Sequence, residues 1–462
     1  MGLRATVYGG AGRIGGNKIL LEEGGRVFLD FGVDFSARNA YFSMFLRPRS
    51  FSLVEDYVLT GVIPALKGLY GEETAPTYLH SKTPFADAVI ISHAHLDHYG
   101  HAGLLRPDIP VYMGEGTKVL LEAREEVRPN RNESLFEEDS EREIHVFRTG
   151  DVFEAAGMKF KPVHVDHSVP ASYGLIVEAG SGVLAYTGDI RAHGPRKDMT
   201  QDFVEACVKE GVETLVVEGT RIDETENRSE DDVRAGMNAV VGKAGDRLVS
   251  VVVGMMDFDR LRTVLQVAED NDRLPAISLH HAHILNKLGG ANLRIKVPSM
   301  RDDKILVYLE RRGSGTYAKS DYQKWMAALA ESSPTVKEEE VRTNQSKYIM
   351  VLSKSEDIID LASIKPAAGS PFILSTSEPH SEEQVIEMDK IKNWVELLQL
   401  RYHHIHSSGH ASGTHIIKTI KQIQPRQVIP VHTEHPEVFA KLLECEKTKV
   451  LIPRSGEPLE IF

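Results

Sequence analysis

The chain has 462 residues, of which 41% are hydrophobic and 26% charged, a balance typical of folded proteins and unlike that of disordered ones. Its 54 basic and 67 acidic residues give a formal net charge of −13, which excludes a general nucleic-acid coat protein but leaves room for a local basic groove. With two cysteines and no apolar run near the ~18 residues of a membrane span, we expect a cytoplasmic protein without disulfides or membrane association.

The first part of the chain predicts short strands joined by glycine-rich turns. Apolar or alternating runs place these strands at residues 5–8, 18–22 and 26–31. Between the first two strands, Gly10, Gly12 and Gly15 form a GxGxxG pattern. A dinucleotide-binding loop leads into a helix, whereas the sequence NKILLEE that follows indicates a strand. We therefore reject dinucleotide binding and predict a tight glycine loop between two strands.

Residues 35–86 form a long insert with a predicted helix around residues 53–70. We expect Phe42, Phe45 and Phe51 to form a local hydrophobic core rather than to stack on bases. We expect the insert to supply either a dimer contact or a lid. After the insert, strands are predicted at 88–92, 158–165, 174–187 (a hairpin) and 214–217, and a helix at 115–127.

Beyond residue 223 the composition changes, and predicted strands alternate with helices. Strands fall at 248–254, 305–309, 348–352 and 372–375, helices at 258–269 and 384–400, and a polar loop at 331–347. Strands separated by helices are typical of a parallel sheet, so we predict a second α/β unit here. The chain then closes with a strand, a glycine loop, a helix and a last strand at 428–431.

The densest cluster of chemically active residues follows the strand at 88–92. Residues 92–98 read Ser-His-Ala-His-Leu-Asp-His. In an extended backbone His93 and His95 point to the same side and can bind one metal ion. Asp97 and His98 begin a turn, so they can reach a second ion next to the first. Imidazoles suit zinc, and a carboxylate compensates its charge. A surface histidine cluster could explain a single HxH pair, but HxHxDH at a strand end predicts a metal site.

Further ligands must come from other strand ends. His167, Asp189 and His432 each follow a predicted strand. Taken singly, Asp189 could be an ordinary turn former, and either histidine could be a core or surface residue. Their order and placement after the HxHxDH motif make metal ligation the better interpretation.

This order of motifs resembles the metallo-β-lactamase fold, an αββα sandwich of two sheets between helices. The resemblance implies two Zn²⁺ ions per chain, with Mn²⁺ or Mg²⁺ as alternatives. It assigns one ion to His93, His95 and His167, the other to Asp97, His98 and His432, and a bridging position to Asp189. It also implies that Asp30, after an early strand, orients the histidine motif without binding metal. Such a pair of ions activates a shared water for hydrolysis.

The long insertion between Asp189 and His432 resembles that of the β-CASP group, whose members cut nucleic acids. Glu218 in VVEGTRID and His410 in HSSGHASG match two further motifs of this group, and a histidine at His432 points to RNA substrates. The sequences GGAGRIGGN, SHAHLDHYGH and VDHSVPASYG are similar to the ribonuclease J family, especially to archaeal forms that lack the bacterial C-terminal domain. The resemblance implies a metallo-β-lactamase domain over 1–222, an inserted α/β β-CASP domain over 223–385, and a closing metallo-β-lactamase part over 386–462.

The resemblance implies a zinc-dependent ribonuclease that acts on single-stranded RNA in RNA processing or decay as a homodimer. We expect a 5′→3′ exonuclease that prefers a 5′-monophosphate, with endonuclease activity left open. The implied catalytic residues are Asp97, Asp189, Glu218 and His410, and the implied phosphate-binding loop is Ser407, Ser408, Gly409, His410, Ala411 and Ser412. That loop also makes physical sense as an anion site, because backbone N–H groups there precede a helix. The alternative is a small-molecule metallohydrolase of esterase or lactonase type with a cap domain, which would not need Glu218 with His410.

Overall fold

The computed structural model describes residues 2–127, 133–136, 141–226, 228–293, 295–300, 304–377 and 382–462. The chain divides into two compact units, of which the first comprises Met1–Glu226 and Gly409–Phe462 and the second Asn227–Ser408. Across the part of the chain that is described, no helix combines the length and the apolar character needed to span a bilayer.

The regular elements are numbered in chain order. The strands are β1 (Arg4–Gly9), β2 (Lys18–Glu22), β3 (Arg26–Leu29), β4 (Ala88–Ile91), β5 (Val111–Gly114), β6 (Ile144–Phe147), β7 (Phe153–Ala155), β8 (Met158–His164), β9 (Tyr173–Ala179), β10 (Gly182–Tyr186), β11 (Thr214–Glu218), β12 (Val249–Val252), β13 (Leu274–Ile277), β14 (Leu306–Leu309), β15 (Thr335–Lys337), β16 (Tyr348–Leu352), β17 (Pro371–Leu374), β18 (Arg401–His404), β19 (Gln427–Val431), β20 (Lys449–Val450) and β21 (Pro458–Glu460). The α-helices are α1 (Phe35–Asn39), α2 (Leu53–Leu59), α3 (Leu96–Tyr99), α4 (Glu115–Val127), α5 (Lys197–Glu210), α6 (Glu230–Val241), α7 (Phe258–Asp270), α8 (Leu279–Gly290), α9 (Lys324–Ser332), α10 (Glu338–Thr343), α11 (Leu361–Ile364), α12 (Glu382–Leu397), α13 (Gly413–Ile423) and α14 (Pro436–Leu442).

The first unit contains two sheets that face each other between layers of helix. One sheet has the strand order β21-β1-β2-β3-β4-β5-β6, and the other has the order β20-β19-β11-β10-β9-β8-β7. Helix α4 packs on β5 and β6 of the first sheet, whereas α5 packs on β8 of the second and α13 packs on α5. The sheets meet where the Tyr186 hydroxyl donates to Asp30 Oδ2 at 2.7 Å. The predicted α/β fold class with αββα layers is confirmed.

Strand β9 shows how side-chain alternation builds these layers. Tyr173 points toward the other sheet, where its ring meets Phe147 edge-on at 5.0 Å between centroids. The next residue, Gly174, faces α5, and a Cβ there would overlap the Phe203 ring. Phe203 is fully buried in the core between this sheet and the helices α5 and α13. Successive residues of one strand therefore serve two different interfaces.

The second unit is built on a parallel sheet. Its strand order is β15-β14-β13-β16-β12-β17-β18, and all the recorded pairings in this sheet are parallel. The alternation of strands and helices beyond residue 223 predicted this arrangement, which is confirmed. The predicted boundary at 385/386 is wrong: β18 pairs with β17, and Ile391 and Val395 of α12 lie in the core of this unit. The chain returns to the first unit at Gly409.

Three local predictions also fail. The segment 331–347 contains β15 and α10 rather than a loop, because Val336 and Val341 give this polar stretch a buried apolar residue in each element. The helix predicted around 53–70 ends at Leu59, two residues before Gly61, which takes a left-handed backbone with φ +72°. Phe45 and Phe51 are exposed instead of forming a local core.

Candidate metal centre

The predicted site residues of the first unit converge at one edge of the sandwich. Strands β10, β11 and β19 are mutually parallel, and β8 runs in the same direction because it is two antiparallel steps from β10. Their carboxyl ends therefore meet, and these ends carry His167, Asp189, Glu218 and His432. On the facing sheet, β4 ends next to the HxHxDH motif in the same way. The convergence thus follows from strand direction.

The first group of donor atoms comes from His93, His95, His167 and Asp189. His95 Nδ1 lies 3.1 Å from His93 Nε2 and 3.0 Å from His167 Nε2. Asp189 Oδ2 lies 3.5 Å from His93 Nε2 and 3.7 Å from His167 Nε2. Tetrahedral zinc with bonds of ~2.0–2.1 Å places its ligand atoms roughly 3.3 Å apart. The observed spacing fits one ion held by four protein atoms.

The second group comes from Asp97, His98 and His432. Asp97 Oδ2 lies 3.0 Å from His432 Nε2 and 3.8 Å from His98 Nε2. Asp189 stands between the groups, since its Oδ2 is 3.1 Å from His98 Nε2 and its Oδ1 is 3.9 Å from His432 Nε2. Asp189 Oδ1 is buried and has no hydrogen-bond partner among the described residues. This donor set suits a divalent cation.

Hydrogen bonds on the side away from the centre fix which nitrogen faces the centre in three of the imidazoles. His98 Nδ1 donates to Asp30 Oδ2 at 2.7 Å, and His167 Nδ1 donates to the Gly409 carbonyl at 2.6 Å. His432 Nδ1 lies 2.8 Å from the Thr220 hydroxyl. Each bond leaves the Nε2 lone pair pointing inward, as metal ligation requires.

Asp30 anchors the HxHxDH motif, as the resemblance implied. It accepts from Ser92 N at 2.7 Å and from Ser92 Oγ at 2.8 Å, in addition to its bonds with His98 and Tyr186. Its backbone is left-handed, with φ 60°, and so is that of His432, with φ 53°. Such conformations cost a non-glycine residue about 1–3 kcal/mol and concentrate at functional sites.

The electrostatics of the cluster call for a cation. Burial holds the pKa of His93 and His167 well below the usual range and lowers that of His95 to about 4, so these imidazoles are neutral. Burial would also lower the pKa of His98, but the Asp189, Asp30 and Asp97 carboxylates outweigh it and raise that pKa well above normal. The three carboxylates thus stabilise positive charge next to His98, and a divalent ion would supply more of that charge than a proton does.

The buried Glu218 and the half-buried His410 form a pair next to Asp189. His410 Nδ1 lies 3.1 Å from Glu218 Oε1, and burial, which would lower the His410 pKa, is outweighed by the Glu218 and Asp189 carboxylates, which raise it to about 9. Glu218 also accepts from Ile190 N at 3.0 Å, Thr220 N at 3.1 Å and Thr220 Oγ1 at 2.7 Å. Its carboxylate oxygens are therefore saturated by hydrogen bonds. A third donor group of Asp189, Glu218, His410 and His432 also meets the spacing of a metal site.

The glycine loop supports the second group of ligands. The His432 N–H donates to the Gly10 carbonyl at 2.8 Å, and the Asn17 N–H donates to the Asp97 carbonyl at 3.0 Å. Gly15 leaves no room for a side chain, because a Cβ there would lie 3.0 Å from Asp97 Cβ. Two glycines of the GxGxxG pattern, Gly10 and Gly15, therefore contact residues of the second donor group closely, whereas Gly12 has open space around it.

The loop at 407–412 is fastened at both ends. The Ser407 hydroxyl donates to the Arg228 carbonyl at 2.7 Å within the second unit. In the first unit, the Ala411 N–H donates to the Ile190 carbonyl at 2.7 Å. The Ser407 hydroxyl and the Ala411 N–H are therefore engaged in hydrogen bonds within the protein.

The sequence reasoning missed a buried ion pair that joins two of the ligand loops. Arg191 follows Asp189 by two residues, and Asp166 precedes His167. Arg191 Nε donates to Asp166 Oδ1 at 3.0 Å, and the Arg191 N–H donates to the Asp166 carbonyl at 2.8 Å. Thr200 joins both, since its hydroxyl accepts from Asp166 N and donates to the Arg191 carbonyl. The only signal in the sequence was that each residue lies next to a predicted ligand.

Known proteins resemble this chain in sequence and in fold. A family model described as a beta-lactamase superfamily domain matches residues 62–251, and a Zn-dependent metallo-hydrolase RNA specificity domain matches residues 398–453. The ribonuclease J of Sinorhizobium meliloti is 25% identical over 81% of this chain and 63% of its own length, so the chain spans less than two thirds of that relative. The ribonuclease J of Pyrococcus abyssi is 23% identical over 81% of each chain. A crystal structure of a protein of unknown function from Enterococcus faecalis has the same fold, with a TM-score of 0.75, 22% identity, and coverage of 99% of this chain and 100% of that one.

Replacing Arg191 with methionine should weaken metal binding. The neutral side chain keeps the volume but loses the charged bonds to Asp166, while the backbone bond between the two residues and the bonds of Thr200 remain. We expect roughly 10–100-fold lower metal affinity, because the loops of His167 and Asp189 are then held less tightly. The measurement is metal content by mass spectrometry during titration with a chelator. Arg196→Met, which alters an exposed pair with Asp198, is the matched control and should bind metal normally. Unchanged affinity in Arg191→Met would show that the ion pair does not position the ligands.

Proposed function

We propose that this chain, a ribonuclease J-like member of the metallo-β-lactamase superfamily, is a metal-dependent ribonuclease that hydrolyses phosphodiester bonds of single-stranded RNA. The observation that carries the proposal is the pair of the buried Glu218 and the half-buried His410 beside Asp189, at the edge of a cluster of histidine and aspartate donors. A metallohydrolase that cleaves small esters does not require an additional glutamate–histidine pair. The similarity to ribonucleases and to an RNA specificity domain supports RNA as the substrate.

The donor groups assign the ligands of two divalent ions. His93, His95 and His167 would hold one ion, Asp97, His98 and His432 the other, and Asp189 would contact both. When bound, two Zn²⁺ ions would lower the pKa of a shared water toward ~7 and neutralise charge on the phosphate. The neutral imidazoles and the oriented Nε2 atoms favour Zn²⁺, with Mn²⁺ or Mg²⁺ as alternatives.

His410 is the proposed acid of the reaction. Glu218 orients its ring and keeps it protonated, and 21% of the side chain remains exposed, so that it can approach a substrate. It would stabilise the phosphoryl oxygens or donate a proton to the leaving oxygen. The saturated carboxylate of Glu218 argues against a role for this pair as metal ligands.

We propose that the 407–412 loop determines the direction in which the enzyme degrades RNA. If Gly409, His410 and Ser412 bind a terminal phosphate, that phosphate would stand at a fixed distance from the metal centre, and one nucleotide would be released per cut. We therefore propose 5′→3′ exonuclease activity in cytoplasmic RNA processing or decay, carried out by a homodimer. The same loop could bind an internal phosphate, which would permit endonuclease cutting.

Asp97→Ala and His98→Ala should each lose one of two metal ions and nearly all hydrolysis. The reason is that each removes a ligand of the second donor group and leaves the first group intact. Metal content and cleavage of a homopolymer RNA are the measurements. Asp202→Ala, an exposed substitution in α5, should retain both ions. Two bound ions together with normal cleavage in Asp97→Ala would show that the ligand assignment is wrong.

The His410→Ala variant should retain its metal ions and its affinity for RNA, but it should cleave RNA more slowly. Removal of an acid or a charge-stabilising group lowers the rate by ~10²–10⁴-fold. Single-turnover cleavage, RNA binding and metal content are measured on the same preparation, with the exposed His145→Ala as control. Loss of a metal ion in His410→Ala would instead place this residue among the ligands.

RNA with a 5′-monophosphate should be degraded fastest. A compact anion suits a nest of N–H groups, whereas a triphosphate is bulkier and a hydroxyl end lacks charge-assisted hydrogen bonds. One RNA body is prepared with each of the three ends and labelled at its 3′ end, and mononucleotide release is followed. Equal rates on all three, or equal cleavage of circular RNA, would refute the exonuclease and leave an endonuclease. No cleavage of any RNA, with turnover of an ester substrate, would favour the small-molecule alternative.

A further inference from the structure

Lys18 is a charged residue at the start of β2 that lies in the interior of the first unit. Only 1% of it is exposed, and Ile19, Leu20 and Leu21, which follow it in the strand, are buried as well. Lysine is almost never fully buried in proteins unless its charge is paired. The proposed reaction gives Lys18 no role, so its position needs a separate explanation.

The terminal nitrogen of Lys18 joins two loops through their backbone. Nζ donates to the Gly32 carbonyl at 2.6 Å and to the Gly16 carbonyl at 3.2 Å. It also lies 5.3 Å from the centroid of the Phe31 ring, within the range of a cation–π contact. Gly16 ends the glycine loop that follows β1, and Gly32 lies in the loop that follows β3. One side chain therefore holds a loop on each side of it.

Both loops contact the turn that carries Asp97 and His98. The Asn17 N–H donates to the Asp97 carbonyl at 3.0 Å, and the Phe31 N–H donates to the His98 carbonyl at 2.7 Å. Gly32 lies so close to the turn that a Cβ there would overlap the Asp97 carbonyl, and its N–H donates to the Asn17 carbonyl at 3.0 Å. The backbone that bears the second donor group is therefore held by the two loops that Lys18 joins.

The burial of Lys18 costs free energy of folding. Burial lowers the pKa of Lys18 to about 7, because the nearby Asp34 carboxylate offsets only part of this effect and the Arg13 cation adds to it. An apolar side chain at the same position would avoid the cost of removing a charge from water. Proteins keep such costly exceptions to the usual burial pattern mainly where function requires them. The two bonds to the carbonyls persist in either protonation state, since the neutral amine also has two N–H groups.

We propose that Lys18 is a positioning residue of the metal centre, which holds the Asp97–His98 turn in place by clamping the Gly16 and Gly32 carbonyls. The alternative is that Lys18 contributes only to the packing of the sandwich. A packing residue stabilises the whole unit, whereas a positioning residue sets the order of one turn and the affinity of the ligands that the turn carries. The inference rests on the proposed assignment of Asp97 and His98 as ligands, and it does not depend on RNA as the substrate.

Amide hydrogen exchange in the metal-free, full-length protein is the first test. Lys18→Met keeps the length of the side chain and removes its donor. The Asn17, Phe31 and Gly32 N–H groups should then exchange about tenfold faster or more, while the amides of β9 exchange as in wild type, because only the clamped loops open more easily. Leu20→Ala is the matched control, since it leaves a cavity at a buried position of the same strand. It should accelerate exchange in β9 as much as in the loops.

The affinity for Zn²⁺ of the same variants is the second measurement, made by competition with a chromophoric chelator and without RNA. Lys18→Met should bind the second of two ions about 10–100-fold more weakly than wild type and the first ion equally well. Lys18→Gln, which retains N–H donors on a shorter side chain, should have an intermediate affinity. Leu20→Ala and Lys159→Met, which alters an exposed pair with Glu178, should bind both ions as wild type does.

Wild-type affinity for the second ion in Lys18→Met would overturn the proposal. Faster exchange throughout the unit, as in Leu20→Ala, would also overturn it, because Lys18 would then act through packing alone. If Lys18→Met does not fold, Lys18→Gln decides by the same criteria, and failure of both to fold would assign Lys18 to the fold itself. A wild type that binds a single ion would refute the ligand assignment, and exchange would still show whether Lys18 orders the turn. Failure to cleave RNA would affect neither measurement.

Discussion

The first unit depends on the concentration of buried negative charge at one edge of its two sheets. Asp30, Asp97, Asp189 and Glu218 lie within one network of hydrogen bonds and ion pairs. Carboxylates out of contact with water are costly unless opposite charge or hydrogen bonds compensate them. Imidazoles and backbone N–H groups provide part of that compensation, and a divalent cation held by the His and Asp donors would provide the rest.

The compensation is arranged in layers. Residues that contact the centre are themselves held by groups that never reach it, such as Asp30 behind His98 and Thr220 behind His432. The Arg191–Asp166 ion pair supports His167 and Asp189 in the same way, because each of its two residues lies next to one of them in the chain. Such supporting residues set the distance between ligands, and a misplaced ligand loses affinity even when its chemistry is intact.

Features that depend on local interactions could be predicted from the sequence, whereas features that depend on contacts between distant residues could not. The helix at 115–127 and the strand at 348–352 were predicted with their correct bounds, because local periodicity and length suffice for them. The ligands could be proposed for a similar reason: each stands at a strand end, and their order along the chain resembles a known pattern. The boundary at residue 408 could not be predicted, since it depends on β18 pairing with β17 across a connection of more than twenty residues.

The sequence by itself determined the candidate chemistry of the first unit, because HxHxDH, the later candidate ligands, Glu218 and His410 are visible as residue types in a fixed order. It also determined the parallel α/β character of the second unit, which alternation alone reveals. Only the tertiary structure decided how the imidazoles are oriented, which loop groups are already hydrogen-bonded, and that Phe45 and Phe51 are exposed. These features depend on which surfaces meet, and residues that are far apart in the chain, such as His167 and Gly409, carry no local pattern that reports their contact.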